Sequence, residues 1–291
     1  MSSSCVISRL AGGLGNQLFM YAFAKALAVR NDVDLLLDSQ SGFARDRNYR
    51  RKFIIDLIIP KEQHATTWQS RAWPLAGRAL LSLDRKINAR RALSKRYYLR
   101  ERSLDFDADI YALRITRAVI VDGYWQSPRY FDDLPLRDFV HFPESLTRAV
   151  EAESAVIRNN NAVCVGVRRY EEILKKKRPM HILDAAYYQR AMARMEETVE
   201  NPHYFVFAQD MAWARENIRS PHPITFATEK NPDAGAIQDL YLMTQCRHFI
   251  ISNSTLHWWG AWLNCSPNKK VIAPAAGWPG KDILPDTWLV I

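Results

Sequence analysis

From about residue 162 to residue 274, short apolar runs alternate regularly with longer segments of helical apolar period, and this alternation limits the fold more than anything else in the sequence. "AVCVGVRR" reads as a strand and "ILDAAYYQRAMARMEETV" as a helix starting near Asp184. "HYFVFAQD" is then a strand, "MAWARENI" a helix and "PITFAT" a strand. "AGAIQDLYLMTQC", "RHFIISNS", "TLHWWGAWLN" and "KKVIAP" continue as helix, strand, helix and strand. Strands joined by helices of this length build a parallel sheet with helices on both faces. Such a sheet binds its ligands outside the carboxyl ends of its strands.

The N-terminal half opens in the same way. "CVISRL" is a strand, "AGGLGNQ" a glycine turn and "LFMYAFAKALAVRN" an apolar helix, the start of a βαβ unit. "VDLLLD" (33–38) and "ITRAVIVDGYW" (115–125) read as further strands. The stretch 142–161, with a proline and the polar run "RNNN", reads as the linker. A chain of 291 residues, 48% of them hydrophobic, can fill two cores of ordinary size. The expected architecture is α/β, with two Rossmann-like domains (1–150 and 151–291) facing a central cleft and a C-terminal tail able to return to the N-terminal domain.

The residues that follow the C-terminal strands are polar and should gather on one rim. They are Arg168, Arg169, Glu171 and Glu172 after the first strand, Gln209 and Asp210 after the second, and Ser252, Asn253, Ser254 and Thr255 after the fourth. An arginine pair matches a diphosphate, because each guanidinium presents a planar fork of donors. "SNST" stands where a helix begins and can either cap that helix or hold a phosphate at the positive end of its dipole. Asp210 suits a ribose hydroxyl or a base N–H, or simply caps the next helix. Together these residues suggest a nucleotide-sugar or dinucleotide site. In the N-terminal turn, Gly12, Gly13 and Gly15 do not complete a GxGxxG fingerprint. The turn allows close approach of a ligand, and the amides of Asn16 and Gln17 suit neutral sugar hydroxyls.

"DFDADI" places Asp105, Asp107 and Asp109 at the DxD spacing that can hold a divalent metal on a donor diphosphate. The arginine pair already offers charge neutralisation, so no metal is assigned. Four dispersed cysteines (Cys5, Cys164, Cys246, Cys265) form no CxxC or Cys/His cluster and read as buried thiols.

Net charge is +9, and residues 71–102 carry ten Lys/Arg against the acids Asp84 and Glu101. With Trp73, Leu80, Leu83, Ile87 and Leu93 at loosely helical spacing, this stretch reads as a basic amphipathic helix. It either lies on an anionic bilayer or rests its arginine stems on the protein's own core. Nucleic acid is not an expected partner, since only Tyr97 and Tyr98 accompany the charge and no recognition motif is present. No apolar run reaches the ~20 residues of a membrane span, and "MSSSCVISRLAGG" lacks the pattern of a signal peptide. The expected location is the cytoplasm, peripheral to the inner face of the membrane if the basic stretch binds lipid.

Seven blocks, "GGLGNQLFMYAFAKALA", "DGYWQSPRYFDD", "GVRRYEE", "DAAYYQRAM", "YFVFAQD", "DLYLMTQCRHFIISNSTLHWWGAWLN" and "KVIAP", together resemble the α-1,2-fucosyltransferases of glycosyltransferase family eleven. The resemblance implies a GT-B fold, GDP-L-fucose as donor, no metal, and inverting transfer to the 2-hydroxyl of a galactoside. The acceptor would be a galactoside or lipid-linked oligosaccharide on the way to surface polysaccharide or O-antigen. Against the family motif HxRRGDY, Arg168 and Arg169 match the arginine pair, with Arg168 expected on the β-phosphate. Glu171 stands where the family has Asp, Gly166 replaces its His and Tyr170 its Gly. Gln209 and Asp210 fall at the nucleoside-binding strand end, Ser252 to Thr255 in the phosphate-contacting turn, and Gly12 to Gln17 in the cleft loop of an acceptor-side N-terminal domain. Arg168, assisted by Ser254 and Thr255, would neutralise departing GDP. Glu171, or Glu172, would be the base, or Glu171 would orient an arginine. The changes at 166 and 170 leave open another GDP-linked donor, such as GDP-colitose or GDP-L-galactose, or a relative that binds nucleotide or glycan without catalysis.

Overall fold

A computed structural model describes residues 4–46, 50–66, 69, 85–169, 182–228 and 235–291. The chain divides into two compact units, Met1–His141 with Gly280–Ile283, and Phe142–Pro279 with Leu284–Ile291.

The N-terminal unit is built on a five-stranded parallel sheet of order β3-β2-β1-β5-β4. Its strands are β1 (Cys5–Arg9), β2 (Asp34–Asp38), β3 (Gln63–His64), β4 (Tyr98–Arg100) and β5 (Val119–Asp122). β1 is central and buried along its whole length, as a strand covered on both faces must be. Helix α1 (Leu14–Asn31) follows at once and is buried on most of its circumference, which explains why "LFMYAFAKALA" shows little amphipathic pattern. Its Phe23 stacks on Trp125 at 4.2 Å and meets Tyr130 edge-on at 5.0 Å, so "DGYWQSPRY" after β5 closes over the helix.

One expectation changes here. The basic stretch is not one helix: residues 85–89 are helical, a 3-10 turn covers Leu93–Lys95, and Tyr98–Arg100 is a sheet strand. Asn88, 1% exposed, ties these pieces together by donating Nδ2 to the Tyr98 carbonyl at 2.6 Å and accepting from Tyr97 N at 3.0 Å. Residues 71–84, the remainder of that expected helix, lie outside the described residues. Of the DxD acids, Asp107 caps the turn Ala108–Tyr111, and Asp105 accepts from Lys281 N at 2.7 Å.

The C-terminal unit carries a six-stranded parallel sheet of order β11-β10-β9-β6-β7-β8. Its strands are β6 (Ala162–Val167), β7 (His203–Ala208), β8 (Ile224–Phe226), β9 (His248–Ile250), β10 (Val271–Ala273) and β11 (Leu289–Val290). The five strands read from the sequence are all present, and the two-residue β11 adds an edge. The helices between them are α3 (Ala185–Glu196), α4 (Met211–Asn217), α5 (Gly235–Gln245) and α6 (Thr255–Leu263), after α2 (Glu151–Arg158). Val163, Val165 and Val206 are fully buried against α3, each contributing about 1.5–3 kcal/mol.

The stretch 142–161 is part of this core and not a linker. It is helical over Glu144–Thr147 and α2, Phe142 packs on Tyr241 at 5.4 Å, and Leu146 accepts from Gln238 at 3.3 Å. Cys5, Cys164 and Cys246 are buried thiols, whereas Cys265 is exposed, because it follows the end of α6. Among the described residues no helix is long and apolar enough to cross a membrane.

Candidate functional site

In the C-terminal sheet the chain runs from β6 outward to β7 and β8, and then returns to the other side of β6 as β9. The carboxyl ends of β6 and β9 therefore flank a topological switch point, the place where open α/β sheets leave a ligand crevice. Register decides what arrives there. Val165 pairs with Ile250, so Ser252 emerges level with Val167 and the next residues flank Arg168; Val167 pairs with Ala208, so Gln209 emerges level with Arg168 and Asp210 with Arg169.

The arginine pair divides its labour. The Arg169 guanidinium lies 4.3 Å over the Trp213 ring, and its Nε is 4.0 Å from Asp210 Oδ2. Asp210 also caps α4, its Oδ1 accepting from Trp213 N at 2.9 Å. These two residues, expected on diphosphate and nucleoside, are thus engaged with each other and with α4. Gln209 is exposed. Arg168 is half-buried, and its charge is felt by the His257 ring.

The "SNST" turn also differs from expectation. Ser252 is fully buried, and its Oγ lies 2.8 Å from His257 Nδ1, so this hydroxyl faces the protein and not a phosphate. Asn253 donates to the Gly277 carbonyl at 3.3 Å. Ser254 occupies the N-cap position of α6 but makes no side-chain cap hydrogen bond, and Thr255 opens the helix half-buried. The amides of the first turn of α6 therefore lack a side-chain cap while keeping the positive end of the dipole, a setting suited to an anion. Glu171, Glu172 and Tyr170 lie outside the described residues.

One residue of this site was missed in the sequence. His257, from the first turn of α6, folds back over β6 at Gly166: a Cβ added at 166 would lie 2.4 Å from its Nδ1 and 2.5 Å from its Cγ. Burial, and secondarily the Arg168 charge, pull the imidazole down to about 3, so it is neutral at neutral pH. The absence of a side chain at 166 was the available signal, since a glycine in a central strand marks close approach by another group. A pH dependence follows. The unfolded chain protonates this histidine near 6.5 while the folded protein holds it neutral to about 3, so between those values the unfolded state binds the extra proton. The contribution is complete above pH 6.5 and is lost on acidification at up to about 1.4 kcal/mol per pH unit. Urea midpoints at pH 7 and pH 5 should therefore differ more for the wild type than for His257→Gln. An equal difference in both proteins would remove His257 as the titrating group.

In the N-terminal unit the glycine turn is the entry to α1. Gly12 has φ +76°, Gly13 is the N-cap, and Gly15, Asn16 and Gln17 already belong to the helix. Gln17 is fully buried. Its Nε2 donates to the carbonyls of Gly12 and Lys52, each at 2.9 Å, and its Oε1 accepts from Ile54 N and Ile55 N at 3.2 and 3.3 Å. Every hydrogen-bonding position of that amide is used in holding the turn, which corrects its assignment to an acceptor sugar. Asn16, half-buried, accepts from Gln126 at 3.1 Å.

Comparison with known proteins fits this geometry. The chain is 26% identical over 306 residues to the O-antigen biosynthesis glycosyltransferase WbnK of Escherichia coli, covering 97% of this chain and 99% of that protein. It is 26% identical over 305 residues to an alpha-1,2-colitosyltransferase of Escherichia coli, covering 99% of each. The NodZ alpha-1,6-fucosyltransferase co-crystallised with GDP superposes with a TM-score of 0.57 at 14% identity, over 94% of this chain and 96% of that one, which places the fold among the GT-B glycosyltransferases. Residues 86–281 match the family described as "Glycosyl transferase family 11", and the chain belongs to that family.

Proposed function

We propose that this protein is an inverting glycosyltransferase that moves L-fucose from GDP-L-fucose to the 2-hydroxyl of a galactoside during O-antigen or surface polysaccharide synthesis. The observation that carries the reading is the switch-point crevice of the C-terminal unit, where Arg168 and the uncapped first turn of α6 meet beside a neutral imidazole. That combination suits a diphosphate: fixed donors meet the charge that develops as GDP departs. The names of the full-length relatives support an O-antigen glycan as acceptor and a deoxysugar as the transferred group.

Glu171 is proposed as the base that takes the proton of the acceptor hydroxyl. No metal is invoked, because in this reading the Arg168 guanidinium supplies the charge neutralisation that departing GDP needs. A second reading follows from the packing at Gly166. The motif has a histidine at that place, and here the space is filled from α6; with a full-length relative named an alpha-1,2-colitosyltransferase, GDP-colitose is the alternative donor.

The test is a transfer assay with GDP-L-fucose, GDP-colitose and GDP-L-galactose on terminal galactosides. One donor should exceed the others by at least about tenfold in kcat/KM, the discrimination expected where a site binds or rejects single hydroxyls. Glu171→Gln should lower turnover about 100-fold or more with that donor while leaving GDP binding intact. Absence of both transfer and donor hydrolysis with all three would favour a non-catalytic binding protein.

A further inference from the structure

The N-terminal unit has a switch point of its own. Its chain runs from β1 to β2 and β3, then returns on the other side of β1 through β4 and β5, so the carboxyl ends of β1 and β5 flank a second crevice. A cavity of about 870 Å³ opens there. Its wall carries six cationic side chains, Arg9, Arg85, Lys86, Arg96, Arg100 and Arg102, against two carboxylates, Glu101 and Asp122.

Both carboxylates are already committed. Glu101 accepts from Tyr124 N at 2.7 Å and Trp125 N at 2.8 Å, fixing a turn in which Trp125 takes φ +54°. Asp122 accepts from Arg9 Nη1 at 2.9 Å and from the Tyr98 hydroxyl. Arg9 is pinned further by Ser41, through Nε to Oγ at 2.8 Å and Nη2 to the carbonyl at 3.1 Å. Glycines hold the floor rigid: a Cβ at Gly42 would lie 2.0 Å from the Leu10 carbonyl oxygen, and one at Gly123 would lie 2.3 Å from Glu101 Cβ.

The other cations are arranged above this floor. Arg85 lies 4.2 Å over the Tyr98 ring, and Arg96 donates to the carbonyls of Ala89 and Arg91 at 2.7 and 3.0 Å. Arg96 titrates below its ordinary range, through burial and then through the charge of Arg102. Among the described residues Lys86, Arg100 and Arg102 have no ion-pair partner, and all three are exposed at the rim. Cations gathered within a Debye length, about 8–10 Å, repel one another. An anion entering between them relieves that repulsion and gains charge-assisted hydrogen bonds from guanidinium forks.

We propose that the cavity at the carboxyl edge of the N-terminal sheet binds an anionic group, a phosphate or a carboxylate, carried by the acceptor glycan. That the anion belongs to an acceptor rests on the transferase reading above; that the cavity takes an anion rests on its own residues. The basic stretch 85–102 then serves substrate recognition and not attachment to a bilayer.

The test compares three acceptors sharing one terminal galactoside: neutral, phosphorylated at the reducing end, and extended with a uronic acid. The wild type should prefer one charged acceptor over the neutral one by about tenfold or more in kcat/KM, and which one it prefers identifies the source of the anion. In the double variant Arg100→Gln/Arg102→Gln that preference should fall toward unity. Both positions are exposed, so folding is spared. A second arm needs no turnover: titration with inorganic pyrophosphate under saturating GDP, which occupies the C-terminal unit. Binding by the wild type that weakens about tenfold or more in the double variant supports the site even if every transfer assay fails. No binding by the wild type, or equal binding by both, overturns it. Flotation with phosphatidylglycerol vesicles that is lost in the double variant, with no acceptor preference in the wild type, also overturns it in favour of a lipid surface.

Discussion

Arg168→Ala is expected to lower transfer by about 10²–10³-fold, the usual cost of removing one fixed donor from developing charge. It should also abolish stabilisation by GDP. At 100 times its dissociation constant GDP adds about 2.7 kcal/mol to the wild type, a thermal shift of several degrees. The residue sits where β6 leaves the sheet, half-buried, with the first turn of α6 beside it. Arg168→Lys restores a charge without the planar fork and should recover only part of the loss. The variant has an internal check, because the Arg168 charge helps depress His257; without it the imidazole should titrate higher, readable by NMR. Arg169→Ala should behave differently. That guanidinium rests on Trp213 beside Asp210, so its loss should show first in the melting of α4 and less in donor binding. If Arg168→Ala retained transfer within threefold of the wild type, the diphosphate would have to be held elsewhere.

The C-terminal unit was readable because its central strand β6 is buried on both faces and α3 on one, so there period and polarity each report a single cause. The N-terminal unit was read only in part. β4 is three residues long, lies in an arginine-rich stretch and pairs on one side only, so nothing local separates it from the helix before it. Asn88, which joins that helix to the strand, acts through contacts that no spacing rule reveals. The same limit applies at the site. Polarity after a strand located the residues at the carboxyl ends of the strands, yet it could not tell that Arg169 stacks on Trp213 or that Ser252 turns inward to His257. Gln17 shows the reverse case, a polar residue in a glycine turn whose amide is consumed by four backbone partners.

The pairing of Gly166 with His257 should appear as a large energetic coupling. Gly166→His alone forces a side chain into space the His257 ring already fills, with a Cβ 2.4 Å from Nδ1, and overpacking of that kind costs about 1–3 kcal/mol or more. His257→Ala alone empties that space and leaves the buried Ser252 hydroxyl without its partner, a further cost of about 1–3 kcal/mol. The double variant Gly166→His/His257→Ala places one imidazole back in the same volume, now hung from the strand and not from the helix. Its stability should exceed the sum of the single effects by at least about 2 kcal/mol, near the upper range of coupling between touching residues. Additivity within about 0.5 kcal/mol would mean that the two positions do not compete for one volume. Donor selectivity offers a readout beyond stability. The double variant returns a histidine to the position the RR motif gives it, so if that ring contributes to choosing between fucose and colitose, the ratio of the two kcat/KM values should move while GDP affinity is retained. The ring in the wild type is neutral and anchored at Nδ1 by Ser252, which fixes its orientation at the carboxyl edge of β6. A strand-borne histidine enters that volume from β6 and not from α6, and the direction of the change in donor ratio would show whether orientation or mere occupancy of that volume governs the choice of sugar.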